Sequence, residues 1–233
     1  MHLISVQNAF KQFGWYEDSN FAVFYGGDSQ DILGNFWPLP SYYMCYEGIN
    51  ADNVECLYQS YKFKNIELRQ QFNLLSAKKA LRLAQSLSKF VREDWFQVNR
   101  KIMKILLKIK FSNGYLKKML LDTGDKYLVK HSICKGDGFW SDDSDGYGQN
   151  VLGHMLMQIR GDLGGVGVVV QPVEYCMWIA MMVSKTLLES KYNSQNQWCN
   201  WCGCFPKQYG YDFCKRKCGI ASYKNQNATI IRQ

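Results

Sequence analysis

The sequence predicts an α+β domain in which helices predominate, followed by a small cysteine-rich module. Amphipathic patterns with a period near 3.6 residues occupy most of the chain, and short aromatic or β-branched runs predict only a few strands. With 233 residues, 47 % of them hydrophobic, the chain can bury a substantial core. Five of the nine cysteines fall within residues 199–218. We therefore divide the chain into a main domain, residues 1–192, and a module, residues 193–233.

The main domain begins with short strands and turns. The run FAVFYGG at 21–27 predicts a strand closed by a glycine pair, and the two prolines of LGNFWPLP predict an ordered turn. SYYMCYEGIN predicts one more short strand. A helix containing Glu55 follows, with Asp52 or Asn53 as its N-terminal cap.

Further helices complete the domain. Residues 76–90 and 92–111 each carry an apolar stripe with most of the lysines and arginines away from it, and another helix is expected around 115–125. KYLVKH then predicts a strand. Asn150 can cap the next helix, and the apolar segment 174–190 predicts a final, buried helix.

Residues 135–150 form the least regular stretch, with four glycines and four aspartates. An EF-hand does not fit, because Ser141 stands where the first acidic ligand is needed and Leu152 where the bidentate glutamate is needed. The loop is either ordinary solvated turn structure or a functional loop. Phe139 and Trp140 favour the second reading, since large aromatics here either pack on the core or stack on a ligand ring.

The cysteine cluster predicts a metal site. Cys199 and Cys202 are spaced C-x2-C, Cys214 and Cys218 are spaced C-x3-C, and eleven residues separate the pairs. This spacing suits one tetrahedral Zn²⁺ held by four thiolates. Disulfides are the alternative, and Cys204 could exchange with Cys202. Such a zinc ion would be structural, because so short a segment cannot build a core alone.

Charge and hydropathy limit the class of protein. The formal net charge of +8 favours anionic ligands without identifying one. The N-terminal sequence lacks the order of a signal peptide, and Gln171, Pro172 and Glu174 interrupt the most apolar stretch, so we expect no membrane span. Singly scattered cysteines favour a reducing intracellular compartment such as the cytoplasm, or a host cytoplasm for a viral protein. Walker, Rossmann and nucleophile-elbow motifs are absent from the sequence.

One helix carries a row of polar side chains. Within NVECLYQSYKF, Glu55, Gln59 and Lys62 stand at i, i+4 and i+7 and share one helix face. The row is either a solvated face of an amphipathic helix or one wall of a cleft.

Five collinear motifs across residues 21–164 resemble the NADAR family of N-glycosidases. They are FYGG with LGNFWPLP, VECLYQSYKF, REDWFQVNRKIMKILLKIKF, LLDTGDKYLVKH, and GDGFWSDDSDGYGQNVLGHMLMQIR. The resemblance implies a YbiA-like domain that hydrolyses a C–N glycosidic bond without a catalytic cofactor. The substrates it implies are phosphoribosylamino-pyrimidine intermediates of riboflavin biosynthesis, with release of ribose 5-phosphate. Other branches of the family are linked to ADP-ribose, including its removal from modified nucleobases.

The same motifs imply site residues. Glu55 matches the acidic residue of the family's helix motif, Trp95 the tryptophan of its D-W motif, and Asp137 the acid of its loop. These three are the expected catalytic residues. Contacts with substrate are implied for a further seven residues: Asn35, Phe36, Gln59, Lys62, Trp140, Gly148 and Asn150.

Departures from the family pattern bear on the choice of substrate. Cys56 replaces a histidine, Leu33 and Gly34 replace Phe-Ser, and Ser141 replaces a glycine, but both acids are retained. The leading expectation is therefore an N-glycosidase. One alternative is an ADP-ribosyl glycohydrolase that acts on modified nucleobases or protein and uses the basic zinc module as a substrate tether. The other is a module that binds ADP-ribose or nucleic acid without turnover.

The expected mechanism follows from a transition state with oxocarbenium character. Glu55 would activate water and face the cation, and Asp137 would hold the ribose hydroxyls or assist the leaving nitrogen. Trp95 and Trp140 would stack on the base. Lys62, with Asn35 and backbone N–H groups, would meet the phosphate.

Overall fold

The described residues form a helical domain with one three-stranded sheet and one two-stranded hairpin. The computed structural model describes residues 15–17, 20–25, 31–39, 44–132 and 135–192. Helices predominate over short strands in these ranges, as the sequence predicts. The strands are β1 (Trp15–Glu17), β2 (Phe21–Phe24), β3 (Met44–Tyr46), β4 (Ile49–Ala51) and β5 (Tyr127–Lys130).

Seven α-helices lie within the described residues, together with one 3-10 turn at Ser88–Phe90. The helices are α1 (Val54–Ser60), α2 (Ile66–Gln70), α3 (Ala77–Ser86), α4 (Trp95–Lys110), α5 (Gly114–Leu121), α6 (Val151–Asp162) and α7 (Val173–Tyr192). All the helices predicted from apolar stripes are present. The short α2, which carries no apolar stripe and was not predicted, is capped by the Asn65 side chain.

The central strand of the main sheet is β2. It pairs antiparallel with β1 and parallel with β5, in the order β1-β2-β5, and Phe21 stands opposite Tyr127. All four β2 residues are buried, as expected for an apolar strand covered on both faces. The strands predicted at FAVFYGG and KYLVKH are therefore confirmed, although β2 ends at Phe24, before the glycine pair.

The segment predicted as one short strand is instead a hairpin of β3 and β4. Glu47 and Gly48 connect the two strands with φ values of 47° and 79°. Two successive positive φ values make a tight turn whose twist matches that of antiparallel strands. The glycine, which adopts this conformation without strain, reverses the chain.

The helix termini decide between the predicted caps. Asn53, not Asp52, caps α1, because its side chain accepts a hydrogen bond of 2.8 Å from the Cys56 N–H. Asn150 directly precedes α6, but its side chain makes no capping hydrogen bond. That part of the prediction is wrong, since the Asn150 side chain bonds to β5 instead.

The core joins these elements into one body. α1 packs against α3 and α4, and α6 packs on β5. The contact between α6 and β5 requires Gly153, where a Cβ atom would lie 2.1 Å from the Leu128 carbonyl oxygen. Among the described residues, no helix is long and apolar enough to cross a membrane.

Over residues 173–184, the last helix in the described part of the chain, α7, is buried on one face only, contrary to the prediction of a buried helix. Tyr175, Trp178 and Ile179 pack into the core, whereas Met177 and Met181 on the opposite face are exposed. The alternation along α7 is that of a helix lying on the surface of the domain.

Candidate active site

The polar row of Glu55, Gln59 and Lys62 is largely withdrawn from water. Gln59 is 3 % exposed, and its Nε2 atom donates a hydrogen bond of 2.7 Å to Glu55 Oε1, which belongs to a half-buried side chain. Lys62, just beyond the end of α1, is half-buried and places its Nζ atom 5.9 Å from the centroid of the Trp95 ring. The structure therefore brings Glu55, Gln59, Lys62 and Trp95 together, and their role as one wall of a substrate cleft stays a prediction.

The environment of Glu55 favours its protonated form. Burial raises the pKa of this carboxyl group, and the nearby charge of Asp137 raises it further. The hydrogen bond from Gln59 and the charges of Lys130 and Lys62 act in the opposite direction without cancelling the effect of burial. Burial likewise lowers the pKa of Lys62, an effect that Glu55 opposes. A carboxyl group with a raised pKa is suited to proton transfer near neutral pH.

Asp137, the second predicted acid, is ion-paired with Lys130 at the end of β5. The loop that carries Asp137 is ordered by its own side chains. Asp143 Oδ1 accepts hydrogen bonds from the N–H groups of Gly136 (2.6 Å) and Asp137 (3.0 Å). The buried Ser141 hydroxyl donates to the Asp137 carbonyl oxygen at 2.9 Å. Residues 135–150 are thus an organised loop that presents a carboxylate next to Glu55.

Lys130 was not predicted from the sequence as a site residue. It is mostly buried, contacts Asp137 and lowers the pKa of Glu55, so it connects the two predicted acids. A single lysine at the end of an apolar strand has no motif or spacing that would mark it in advance. Only the pairing of β5 with β2 places it at the site.

A group of aromatic side chains lines the same region. The Tyr58 ring lies 4.9 Å from Trp95 and 5.7 Å from Trp140, centroid to centroid, and it meets Trp140 edge-on. The rings of Phe139 and Trp140 pack with their centroids 4.8 Å apart. The Arg100 guanidinium lies over the Phe139 ring, 4.7 Å from its centroid. The loop aromatics therefore pack inward. Tyr58 was not predicted as a site residue either. Burial and the charge of Glu55 raise the pKa of its hydroxyl group.

Asn35 lies at the N-terminal end of α1. Its carbonyl oxygen accepts a hydrogen bond of 3.1 Å from the Glu55 N–H, which fixes the start of the helix. Its side-chain Nδ2 contacts the Met103 sulfur at 3.6 Å, while Oδ1 is buried with no hydrogen-bond partner in the described part of the chain. Gln59 Oε1 is unpaired in the same way. Phe36 is half-buried in the same loop as Asn35.

Gly148 and Asn150 stabilise the conformation of the loop at residues 135–150. A Cβ atom on Gly148 would lie 2.1 Å from the Ser141 carbonyl oxygen, so only glycine fits there. Asn150 adopts a left-handed conformation with φ of 47°. Its Oδ1 accepts from the Lys130 N–H at 2.9 Å, and its Nδ2 donates to the Leu128 carbonyl at 2.9 Å and the Tyr127 hydroxyl at 3.2 Å. These contacts occupy the amide, and they hold Lys130 in place.

The predicted zinc ligands lie outside the described residues. Cys199, Cys202, Cys214 and Cys218 all fall in residues 193–233, for which the structure describes no atoms. The four-cysteine module therefore stays a prediction.

Comparisons with known proteins identify the family and the fold. The family model for the NADAR domain matches residues 23–164. A riboflavin biosynthesis protein of Vibrio vulnificus is 34 % identical over 138 residues, which cover 58 % of this chain and 36 % of that protein. The N-glycosidase YbiA of Escherichia coli is 29 % identical over 137 residues, which cover 58 % of this chain and 84 % of that protein.

A solved structure shows the same fold. The NMR structure of the E. coli protein YbiA superposes with a TM-score of 0.53 and 28 % sequence identity, over 65 % of this chain and 89 % of that one. The YbiA-like fold expected for the main domain is thereby confirmed. Because the family match at residues 23–164 spans well over half of the 233 residues, this chain belongs to the NADAR family.

Proposed function

We propose that this protein is an N-glycosidase that hydrolyses the C–N bond of phosphoribosylamino-pyrimidine intermediates of riboflavin biosynthesis and releases ribose 5-phosphate. The observation that carries the proposal is the meeting of two carboxyl groups around one lysine. Glu55 is half-buried with a raised pKa, and Asp137 is held by Lys130. The names of the Vibrio and E. coli relatives support the substrate class and the reaction type respectively.

The reaction places different demands on the two acids. As the C–N bond lengthens, positive charge develops at C1′ of the ribose, and nearby carboxylate charge stabilises it. We assign Glu55 to the attacking water, because a carboxyl group with a raised pKa is the better proton acceptor. The water loses a proton to Glu55 as its oxygen bonds to C1′ and the C–N bond breaks. Glu55 then passes this proton to the departing nitrogen, which leaves as an amine, so one water molecule is divided between the two products.

Asp137 then binds the ribose of the substrate. Its ion pair with Lys130 fixes the orientation of the carboxylate, which suits hydrogen bonds to the ribose hydroxyls. Lys62 provides the cation for the phosphate of the substrate. Burial already lowers the pKa of this lysine, so an incoming phosphate would restore the charge balance around its ammonium group.

The unpaired amide oxygens of Asn35 and Gln59 provide further polar contacts. Both oxygens are buried without a partner among the described residues. A buried acceptor without a donor is unfavourable, and a hydroxyl or amino group of a substrate would supply the missing hydrogen. This adds a reason to keep both residues in the predicted substrate-binding set.

The test is mass-spectrometric detection of the released sugar from two substrates, a phosphoribosylamino-pyrimidine and an ADP-ribosylated guanine oligonucleotide. Wild type, Glu55→Gln and the control Glu67→Gln are compared, since Glu67 is exposed on α2. Ribose 5-phosphate from the first substrate, lost only in Glu55→Gln, is the expected result. ADP-ribose from the second substrate alone would move the function to the removal of nucleobase modifications. Binding without product from either substrate would make the protein a non-catalytic reader.

A further inference from the structure

A concave surface lies between the end of α1 and one face of α4. Its floor is apolar and includes Val98, Ile102 and Ile105 of α4, at the i, i+4 and i+7 positions of one helix face. Its volume is about 310 Å³, at the lower end of the range for small-molecule sites. We call this surface the α4 groove. Neither Glu55 nor Asp137 lines it.

The rim of the α4 groove is cationic. Lys64, Arg69, Arg92 and Lys101 line it, and Glu47 is the one carboxylate among its described lining residues. Arg69 pairs with Glu47 at 3.0 Å, and Arg92 pairs with the neighbouring Asp94 at 2.7 Å.

Lys64 shares Asp94 with Arg92, at a distance of 3.6 Å. Within the described part of the chain, Lys101 has no ion pair. The groove therefore keeps an excess of positive charge above an apolar floor.

Arg69 is the least solvated of these cations. It is 8 % exposed, and its guanidinium stacks on the Tyr61 ring at 3.8 Å. One nitrogen, Nη1, bonds to Glu47, whereas Nε and Nη2 are buried without a hydrogen-bond acceptor among the described residues. Buried guanidinium donors without an acceptor are costly, and an anion nearby lowers that cost. These two unpaired donors are an observation independent of the shape of the groove.

We propose that the α4 groove is a second ligand site, which takes a small phosphorylated molecule with a flat or apolar body. The phosphate would lie among Lys64, Arg69 and Lys101, and the body would lie on Val98 and Ile105. Its charge and apolar floor match the two parts of such a ligand. The site is separate from the proposed catalytic residues, so this proposal does not depend on the proposed reaction.

The experiment measures binding of AMP to the full chain by isothermal titration calorimetry, with adenosine as the uncharged counterpart. Lys101→Glu replaces a cation of the rim, which has no ion pair within the described residues, by an anion. Lys79→Glu makes the same charge change on an exposed position of α3, away from the groove. Lys62→Ala tests whether AMP occupies the catalytic cleft instead.

We expect AMP to bind, adenosine to bind at least about tenfold more weakly, and Lys101→Glu to weaken AMP binding by about tenfold. Lys79→Glu and Lys62→Ala should bind AMP as the wild type does. Three results would overturn the proposal: no AMP binding at millimolar concentration, equal binding of adenosine, or a loss of binding in Lys62→Ala but not in Lys101→Glu. Sugar release by Lys101→Glu should equal that of the wild type, so a failure of the groove and a failure of the catalytic proposal remain distinguishable.

Discussion

Lys130 forms an ion pair with Asp137 while its charge lowers the pKa of Glu55. One side chain therefore acts on both acids of the site. Its backbone position is fixed on two sides, by the pairing of β5 with β2 and by the hydrogen bond from its N–H to Asn150 Oδ1. The core of the domain thus determines where the central cation of the site lies.

Replacing Lys130 by methionine should change the pH dependence of the reaction as well as its rate. Because Lys130 lowers the pKa of Glu55, its loss should raise that pKa further. The acid limb of kcat/KM against pH should then move to higher pH, and the maximum should fall by about 10²-fold. Lys89→Met, at an exposed position in the 3-10 turn, is the matched control. An acid limb that stays in place in Lys130→Met would show that Lys130 does not act on the titrating group.

Glu55→Gln should raise stability while it removes activity. The pKa of Glu55 is raised in the folded chain, so between its unfolded and folded pKa values the native state binds more protons. The free energy of unfolding therefore falls as the pH rises through that window. Above it, the native state contains a carboxylate that is partly removed from water, which is unfavourable. Glutamine lacks this cost but keeps an oxygen that accepts the hydrogen bond from Gln59.

At neutral pH we expect the unfolding temperature of Glu55→Gln to exceed that of the wild type by about 2–4 °C, which corresponds to roughly 1 kcal/mol. The difference should disappear below about pH 4, where Glu55 is protonated in both the folded and the unfolded chain. Scanning calorimetry at the two pH values measures this. A variant less stable than the wild type at neutral pH would mean that the Glu55 carboxylate stabilises the fold.

Local patterns in the sequence were sufficient where one element carries the information. The row of Glu55, Gln59 and Lys62 has the period of a single helix, and all three side chains reach the site. The two strands of the main sheet could also be recognised from composition, since β2 and β5 are short apolar runs.

Features that depend on contacts between distant elements were not visible in the sequence. Lys130 and Tyr58 reach the site only through sheet pairing and helix packing. Lys130 belongs to no periodic pattern, and Tyr58 belongs to the apolar face of α1, where its spacing is that of any core residue. Asn150 illustrates the same limit. Asparagine before a helix is a common cap, but here its amide bonds to β5, 20 or more residues earlier in the chain.

Asn150→Ala should lower stability more than it affects binding of substrate. The change removes three hydrogen bonds of a buried amide and places alanine at a φ of 47°. We expect the free energy of unfolding to fall by about 2–4 kcal/mol. Urea denaturation measures this loss, with Gln158→Ala on the exposed face of α6 as the control. A higher KM with unchanged stability would instead place the Asn150 amide on the substrate.

The cysteine module should hold one zinc ion per chain. The C-x2-C and C-x3-C pairs at Cys199, Cys202, Cys214 and Cys218 supply four thiolates. Elemental analysis of the reduced protein should find about one zinc ion per chain, and Cys199→Ser should lose it. Cys45→Ser is the control, since Cys45 is an exposed single cysteine in β3. Equal zinc content in Cys199→Ser and the wild type would contradict the predicted ligand set.

Lys110 should make the stability of the domain depend on pH in the alkaline range. Its side chain is fully buried, and Nζ donates a hydrogen bond of 2.7 Å to the Gly34 carbonyl, next to Asn35. Burial lowers the pKa of Lys110 to about 7, from 10.5 in the unfolded chain. Between these values the unfolded state binds more protons, so the free energy of unfolding should rise with pH by up to about 1.4 kcal/mol per pH unit.

Lys110→Met keeps the volume of the side chain and removes the titration. Urea denaturation at about pH 7 and about pH 9 should show the wild type gaining stability relative to this variant, in a reducing buffer that keeps the cysteines as thiols. Lys108→Met, at an exposed position of α4, should keep the pH dependence of the wild type. If Lys110→Met gained as much stability as the wild type over this range, the Lys110 ammonium would be fully charged in the folded chain, and the hydrogen bond to Gly34 would be sufficient to stabilise a buried cation.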